Sequence, residues 1–188
     1  MKKDNKKAFS LIELLVVITI LIIVSLLIYS PYLFYRQKAL LRQGVKEVSK
    51  SIYEARNIAM NGSTSGSGNL SIGIYFDSSN NDTITFLSYP YSFTGTQITR
   101  TPGPDIKILK TIKLPEGIEI EKVGGQDNAL FFFSSIFGEG KYYYFDPSRQ
   151  EFPLTDNKID IDINYDGATI DILKKKIFYY VLTNIIDY

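Results

Sequence analysis

Cysteine and histidine are both absent from the 188 residues. Without cysteine, no disulfide can staple the fold and no thiolate is available for chemistry. Without histidine, the commonest general base and the commonest metal ligand are missing. A nucleophilic enzyme would have to use a Ser–Lys pair or a carboxylate dyad. Serine, lysine and aspartate are plentiful but form no such motif. A surplus of one charge is missing as well: 21 Lys and Arg face 20 Asp and Glu, for a formal net charge of +1. That balance excludes a globally basic nucleic-acid binder. The expectation is a non-enzyme without a cofactor.

Charge is also nearly missing from one long stretch. From Phe9 to Ile28 there are twenty residues with a single charge, Glu13. A helix of about 20 apolar residues at ~1.5 Å rise spans a bilayer. An acidic residue at the centre of such a span costs roughly 2.5–3.5 kcal/mol, and less toward an end, so an intramembrane carboxylate calls for a function and a partner. Lys2, Lys3, Lys6 and Lys7 precede the span with Asp4, and the next cations are Arg36 and Lys38. The positive-inside rule then sets the N-terminus in the cytoplasm and the bulk of the chain outside. A cleaved secretory signal fits poorly: the apolar stretch is too long, and Tyr29-Ser30-Pro31-Tyr32-Leu33-Phe34-Tyr35 follows it without an Ala-x-Ala pattern. A plain signal anchor leaves Glu13 unexplained. A buried soluble helix fits less well still, because these twenty near-continuous apolar positions lack the polar face of a surface helix.

The basic leader, Ala8-Phe9-Ser10-Leu11-Ile12-Glu13 and the apolar run behind them resemble the N-terminal motif of type IV pilins and pseudopilins. The resemblance implies cleavage by a prepilin peptidase between Ala8 and Phe9, N-methylation of Phe9, and Glu13 as the fifth mature residue. The family usually has Gly before the cut; Ala8 departs from that and is also small. The resemblance further implies that Glu13 meets the N-terminal amine of an adjacent subunit and sets the axial register of a fibre. Removing the four lysines and one aspartate of residues 1–8 would leave 17 cations and 19 anions. Expected partners are the peptidase, other pilin or pseudopilin subunits, an inner-membrane assembly platform and membrane lipid.

Past the span, Leu41, Val45, Val48, Ile52, Ala55 and Ala59 recur at spacings of 4, 3, 4, 3 and 4, one continuous helical stripe. The helix is expected to run on through Pro31, bent there, and to stop near Asn61-Gly62. This gives four parts: a leader (1–8), a membrane and assembly half-helix (9–30), an amphipathic half-helix (31–62), and a β-rich extracytoplasmic domain (63–188). Fourteen Tyr and twelve Phe suit an aromatic β core. A flexible loop is read at 63–69. Strands follow at Leu70–Phe76, Thr83–Tyr89, Ile106–Leu114, Ile118–Val123, Leu130–Phe133 and Lys141–Phe145, with a proline-bearing loop at 90–105. In the third strand Ile106, Ile108, Lys110, Ile112 and Leu114 share one side. Lys158–Tyr165 and Ala168–Leu173 flank Asp166-Gly167 as a tight hairpin. The tail from Ile177 to Tyr188 reads equally as strand or short helix. The fold class is α+β, a long N-terminal helix on an antiparallel sheet.

Ala55-Arg56-Asn57-Ile58-Ala59, Leu114-Pro115-Glu116-Gly117-Ile118, Phe133-Ser134-Ser135-Ile136-Phe137-Gly138 and the Gly167 hairpin resemble H-type minor pseudopilins of type II secretion and related type IV pilus minor pilins. That implies a low-abundance subunit that initiates or caps a pilus, competence or secretion fibre. Two further motifs invite a sharper reading. Asp162-x-Asn164-x-Asp166-Gly167 matches the first half of a calcium loop, but its twelfth position holds Leu173 instead of Glu. The same residues alternate with Ile161, Ile163 and Tyr165 as on a half-exposed strand. Lys174-Lys175-Lys176 could touch DNA phosphates, yet three cations without an aromatic platform read better as a solvated edge run before a sticky tail. No metal or nucleic-acid partner is expected from either motif. The competing function is a signal-anchored binding module that never polymerises; it predicts an intact leader and indifference to Glu13.

Overall fold

A computed structural model describes residues 11–61, 71–89, 107–133, 140–144, 157–167, 171–181, 183 and 185–188. The leader, the 63–69 loop and the 90–105 loop lie outside the described residues. The protein is α+β, with one long helix and nine antiparallel strands among those residues. Its contacts divide the chain into two units, one ending at Lys38 and one running from Ala39 to Tyr188.

Helix α1 covers Leu11–Asn61 and passes through Pro31. In the second unit its expected stripe is buried as read: Leu41, Val45, Val48, Ile52, Ala55 and Ala59 join one apolar cluster with strand residues. Each large aliphatic buried this way stabilises by about 1.5–3 kcal/mol. Gly44 lies on the same face, and a Cβ there would stand 2.5 Å from Ile118 Cγ2. At Gly44 the helix therefore approaches Ile118 of the sheet more closely than a side chain would allow.

The strands are β1 (Ser71–Phe76), β2 (Thr83–Tyr89), β3 (Lys107–Lys113), β4 (Ile118–Val123), β5 (Ala129–Phe133), β6 (Gly140–Tyr144), β7 (Lys158–Tyr165), β8 (Lys174–Tyr180) and β9 (Ile185–Asp187). They form two sheets, ordered β3-β2-β1-β5-β6 and β4-β7-β8-β9. The short strand β5 (Ala-Leu-Phe-Phe-Phe) is buried at every position. Phe131 meets Phe76 edge-on at 5.3 Å and stacks on Tyr179 at 5.9 Å. In β7, Ile159, Ile161 and Ile163 face the core while Asp160, Asp162 and Asn164 face out, the alternation a half-buried strand requires.

Two expectations need correction. Asp166-Gly167 does not close a two-residue hairpin. Gly167 does take a left-handed φ of +67°, but Asn164 pairs with Lys174, and Asp171–Leu173 form a 3₁₀ turn where the returning strand was placed. The pairing of Tyr165 with Ile118 and the Asp166 amide's bond to the Gly117 carbonyl hold this end of β7 on β4. Second, Ile108 does not share a side with Lys110 and Ile112. The ladder between β2 and β3 slips between Phe86 and Leu87, so Leu109 is the extra residue and Ile108 turns outward, 68% exposed. Lys174 to Lys176 pair with β7 on one side, and among the described residues β9 meets β8 only at Phe178–Tyr180, so the lysines keep the edge position read for them. The tail is strand, and β9 is tied to the helix by the Ile186 amide donating to Tyr53 Oη at 3.2 Å.

Candidate membrane and assembly segment

Length and composition give the first part of α1 its character: the helix is long and apolar enough to cross a membrane. Every residue from Leu11 to Ser30 is exposed. Leucine, isoleucine and valine thus surround the helix on all sides, which water disfavours and lipid or neighbouring helices would cover. Two hydroxyls interrupt the interval from Leu14 to Ile28, and both are turned back on the helix. Thr19 Oγ1 donates to the Leu15 carbonyl at 2.8 Å and Ser25 Oγ to the Leu21 carbonyl at 2.7 Å. Bonded inward, they add no outward polar demand.

Glu13 is different: its carboxylate lies in the first turn of α1, exposed among Leu11, Ile12, Leu14 and Leu15. An acidic residue near a helix N-terminus gains about 0.3–1 kcal/mol from the helix dipole. That is less than the several kcal/mol lost by an unpaired charge in an apolar surround. Ala8 and Phe9, the expected cleavage and methylation positions, lie outside the described residues. Pro31 is within α1 and exposed. Its ring removes the amide that would bond the Leu27 carbonyl.

The two sharper motifs are brought together by the fold rather than held apart. Asp162 and Lys176 are direct cross-strand partners on β7 and β8. Lys176 Nζ stands 3.2 Å from Asp162 Oδ1 and 3.4 Å from Asp160 Oδ2. The hydrogen bond from Lys176 to Asp162 holds the ammonium above the ordinary lysine range, with Asp160 adding to the effect and partial burial opposing it. Lys158 joins the same row, 3.8 Å from Asp160 and over the Phe178 ring at 4.4 Å. Asn164 gives its amide to Glu121 at 3.4 Å, and Asp166 sits at the turn beyond the strand end. The cation beside Asp160 and Asp162 is therefore a lysine, and these side chains form a surface charge ladder. Among the described residues no cluster of three or more acidic side chains is arranged to hold a metal. The two motifs lie apart in the sequence, and only the cross-strand pairing of β7 with β8 joins them.

Residues 3–29 match the family model described as the prokaryotic N-terminal methylation motif. No curated protein and no solved structure matches the chain. The motif is that of type IV pilin-like prepilins, which a prepilin peptidase processes and which assemble with other pilins. It points to a structural rather than a catalytic protein.

Proposed function

We propose that the protein is a minor pilin or pseudopilin. In this reading it is inserted once in the cytoplasmic membrane with its N-terminus inside, cut between Ala8 and Phe9, and methylated on Phe9. It is then built into a pilus, competence or type II secretion fibre through its N-terminal helix. The observation that carries this is Glu13. It is the one carboxylate of an otherwise uncharged apolar helix face, four residues after the amine that cleavage would create. A cation supplied by the Phe9 amine of a neighbouring subunit would offset the burial of Glu13 as helices bundle. Lipid is lost on entry to a fibre, and the apolar surface of residues 14–28 is then covered by other helices. The methylation motif over residues 3–29 supports the processing steps, and the β unit from Ala39 onward supplies a folded body to be carried.

The direct test is intact mass and N-terminal sequencing of the protein from membranes and from sheared surface fibres. A chain starting at N-methyl-Phe9 is expected in both. Retention of Met1 to Ala8 would leave a signal-anchored β unit and sink the fibre reading. Separately, Glu13→Val is expected to be cleaved nearly as well as wild type yet to be missing from fibres, by immunoblot of the sheared fraction. Normal incorporation of that variant would remove the registry role.

A further inference from the structure

We propose that Tyr29, Tyr32 and Tyr35 form a one-sided aromatic anchor in the outer headgroup zone of a phospholipid bilayer, fixing the depth at which α1 sits. The proposal rests on the membrane-inserted reading above and adds to it a lipid-contacting site. The three rings are 63%, 62% and 69% exposed, directly after the equally exposed Leu26, Leu27 and Ile28. At a spacing of three residues each ring is turned about 60° from the last, so the three fall within an arc of about 120° on one side of the helix. Tyrosine combines an apolar ring with a polar hydroxyl and collects where hydrocarbon meets water.

The axial distances agree. Tyr29 follows Glu13 by sixteen residues and Tyr35 by twenty-two, or ~24 Å and ~33 Å at the standard rise. The hydrocarbon core is about 30 Å thick. With Glu13 at the cytoplasmic boundary, the rings fall at the opposite one, and Arg36 follows immediately in the aqueous phase. Pro31, ~27 Å from Glu13 at the same rise, then lies at the inner edge of that boundary. The anchor would hold Glu13 and the Ala8–Phe9 bond at a fixed depth on the cytoplasmic side, where a membrane peptidase must reach that bond.

The chain has no tryptophan, so a single substitution gives a clean optical reporter. Full-length unprocessed protein carrying Tyr32→Trp, Tyr29→Trp or Leu21→Trp would be reconstituted in phosphatidylethanolamine–phosphatidylglycerol vesicles. The lipids would be brominated either near the glycerol ester or near the acyl-chain end. Trp at position 32 or 29 should lose about half or more of its emission to the shallow bromine and much less to the deep one; Trp at 21 should show the reverse order. Quenching of the 29 and 32 reporters by aqueous iodide but by neither lipid would place the rings in water and overturn the anchor, as would stronger quenching by the deep bromine. If Trp at 21 is quenched by neither lipid, the bilayer reading itself fails, and the anchor with it.

Discussion

A single missing side chain sets how tightly the helix packs. Gly44 faces Ile118, whose Cγ2 lies 2.5 Å from where a Cβ would be. Alanine would gain up to about 1 kcal/mol in helix propensity, but overpacking a filled interface costs typically 1–3 kcal/mol. The branched Ile118 side chain is fully buried and cannot swing aside. Gly44→Ala is therefore expected to lower stability by about 1 kcal/mol, read as a lower denaturation midpoint of the detergent-solubilised protein. Ile118→Ala alone should cost about 2–5 kcal/mol, and the pair should be less damaging than the sum, since the smaller side chain makes room for the new methyl. Gly117 obeys a different constraint. Its φ of +75° and the Tyr165 ring 2.9 Å from its would-be Cβ both exclude a larger residue. Neither constraint was legible in the sequence, where Gly44 interrupts a good helix stripe without apparent reason. Glu13 stands out for a local reason: one charge within twenty apolar residues needs no tertiary structure to be noticed.

Among the elements, those defined by periodicity were read well and those defined by pairing were not. The α1 stripe and the alternation of β7 depend on one segment each, and both appear where the pattern put them. The β3 bulge, the long connection after Tyr165 and the pairing of β8 with β7 and β9 depend on which strand lies alongside, and no local signal carries that. The charge ladder between β7 and β8 belongs here too, and its pH dependence has a defined sign. Lys176 binds its proton more tightly when folded than unfolded. Its contribution is therefore complete below the ordinary lysine value and is lost as pH rises through the higher folded value. Tyr75, raised by burial and then by Asp77, acts in the same direction. Stability should decline above about pH 10, and Lys176→Gln should flatten that alkaline limb while changing stability at pH 7 little, because an exposed pair is worth at most about 1 kcal/mol. Thermal midpoints across pH 7–11 would check this, and an unchanged alkaline slope in the variant would rule the ladder out as a contributor.

For the molecule as a whole, the division at Lys38–Ala39 separates a segment with every residue from 11 to 30 exposed from a unit with its own core. Residues 39–188 keep the whole buried stripe of α1 and both sheets. We expect this fragment to be soluble without detergent and to unfold in one cooperative transition by circular dichroism, whereas a fragment begun at residue 63 should fail to fold for want of the stripe. A broad, non-cooperative melt of 39–188 would mean that the first unit is needed for the second. The Tyr53–Ile186 hydrogen bond joins positions 133 residues apart, and this separation is also an interval of time. At about 5–20 residues per second of synthesis, Tyr53 is made roughly 7–27 s before the strand that meets it. Through that delay the cluster around the apolar stripe of the nascent helix lacks its last contributors, from β7 to Ile186, so the helix waits with its cover incomplete.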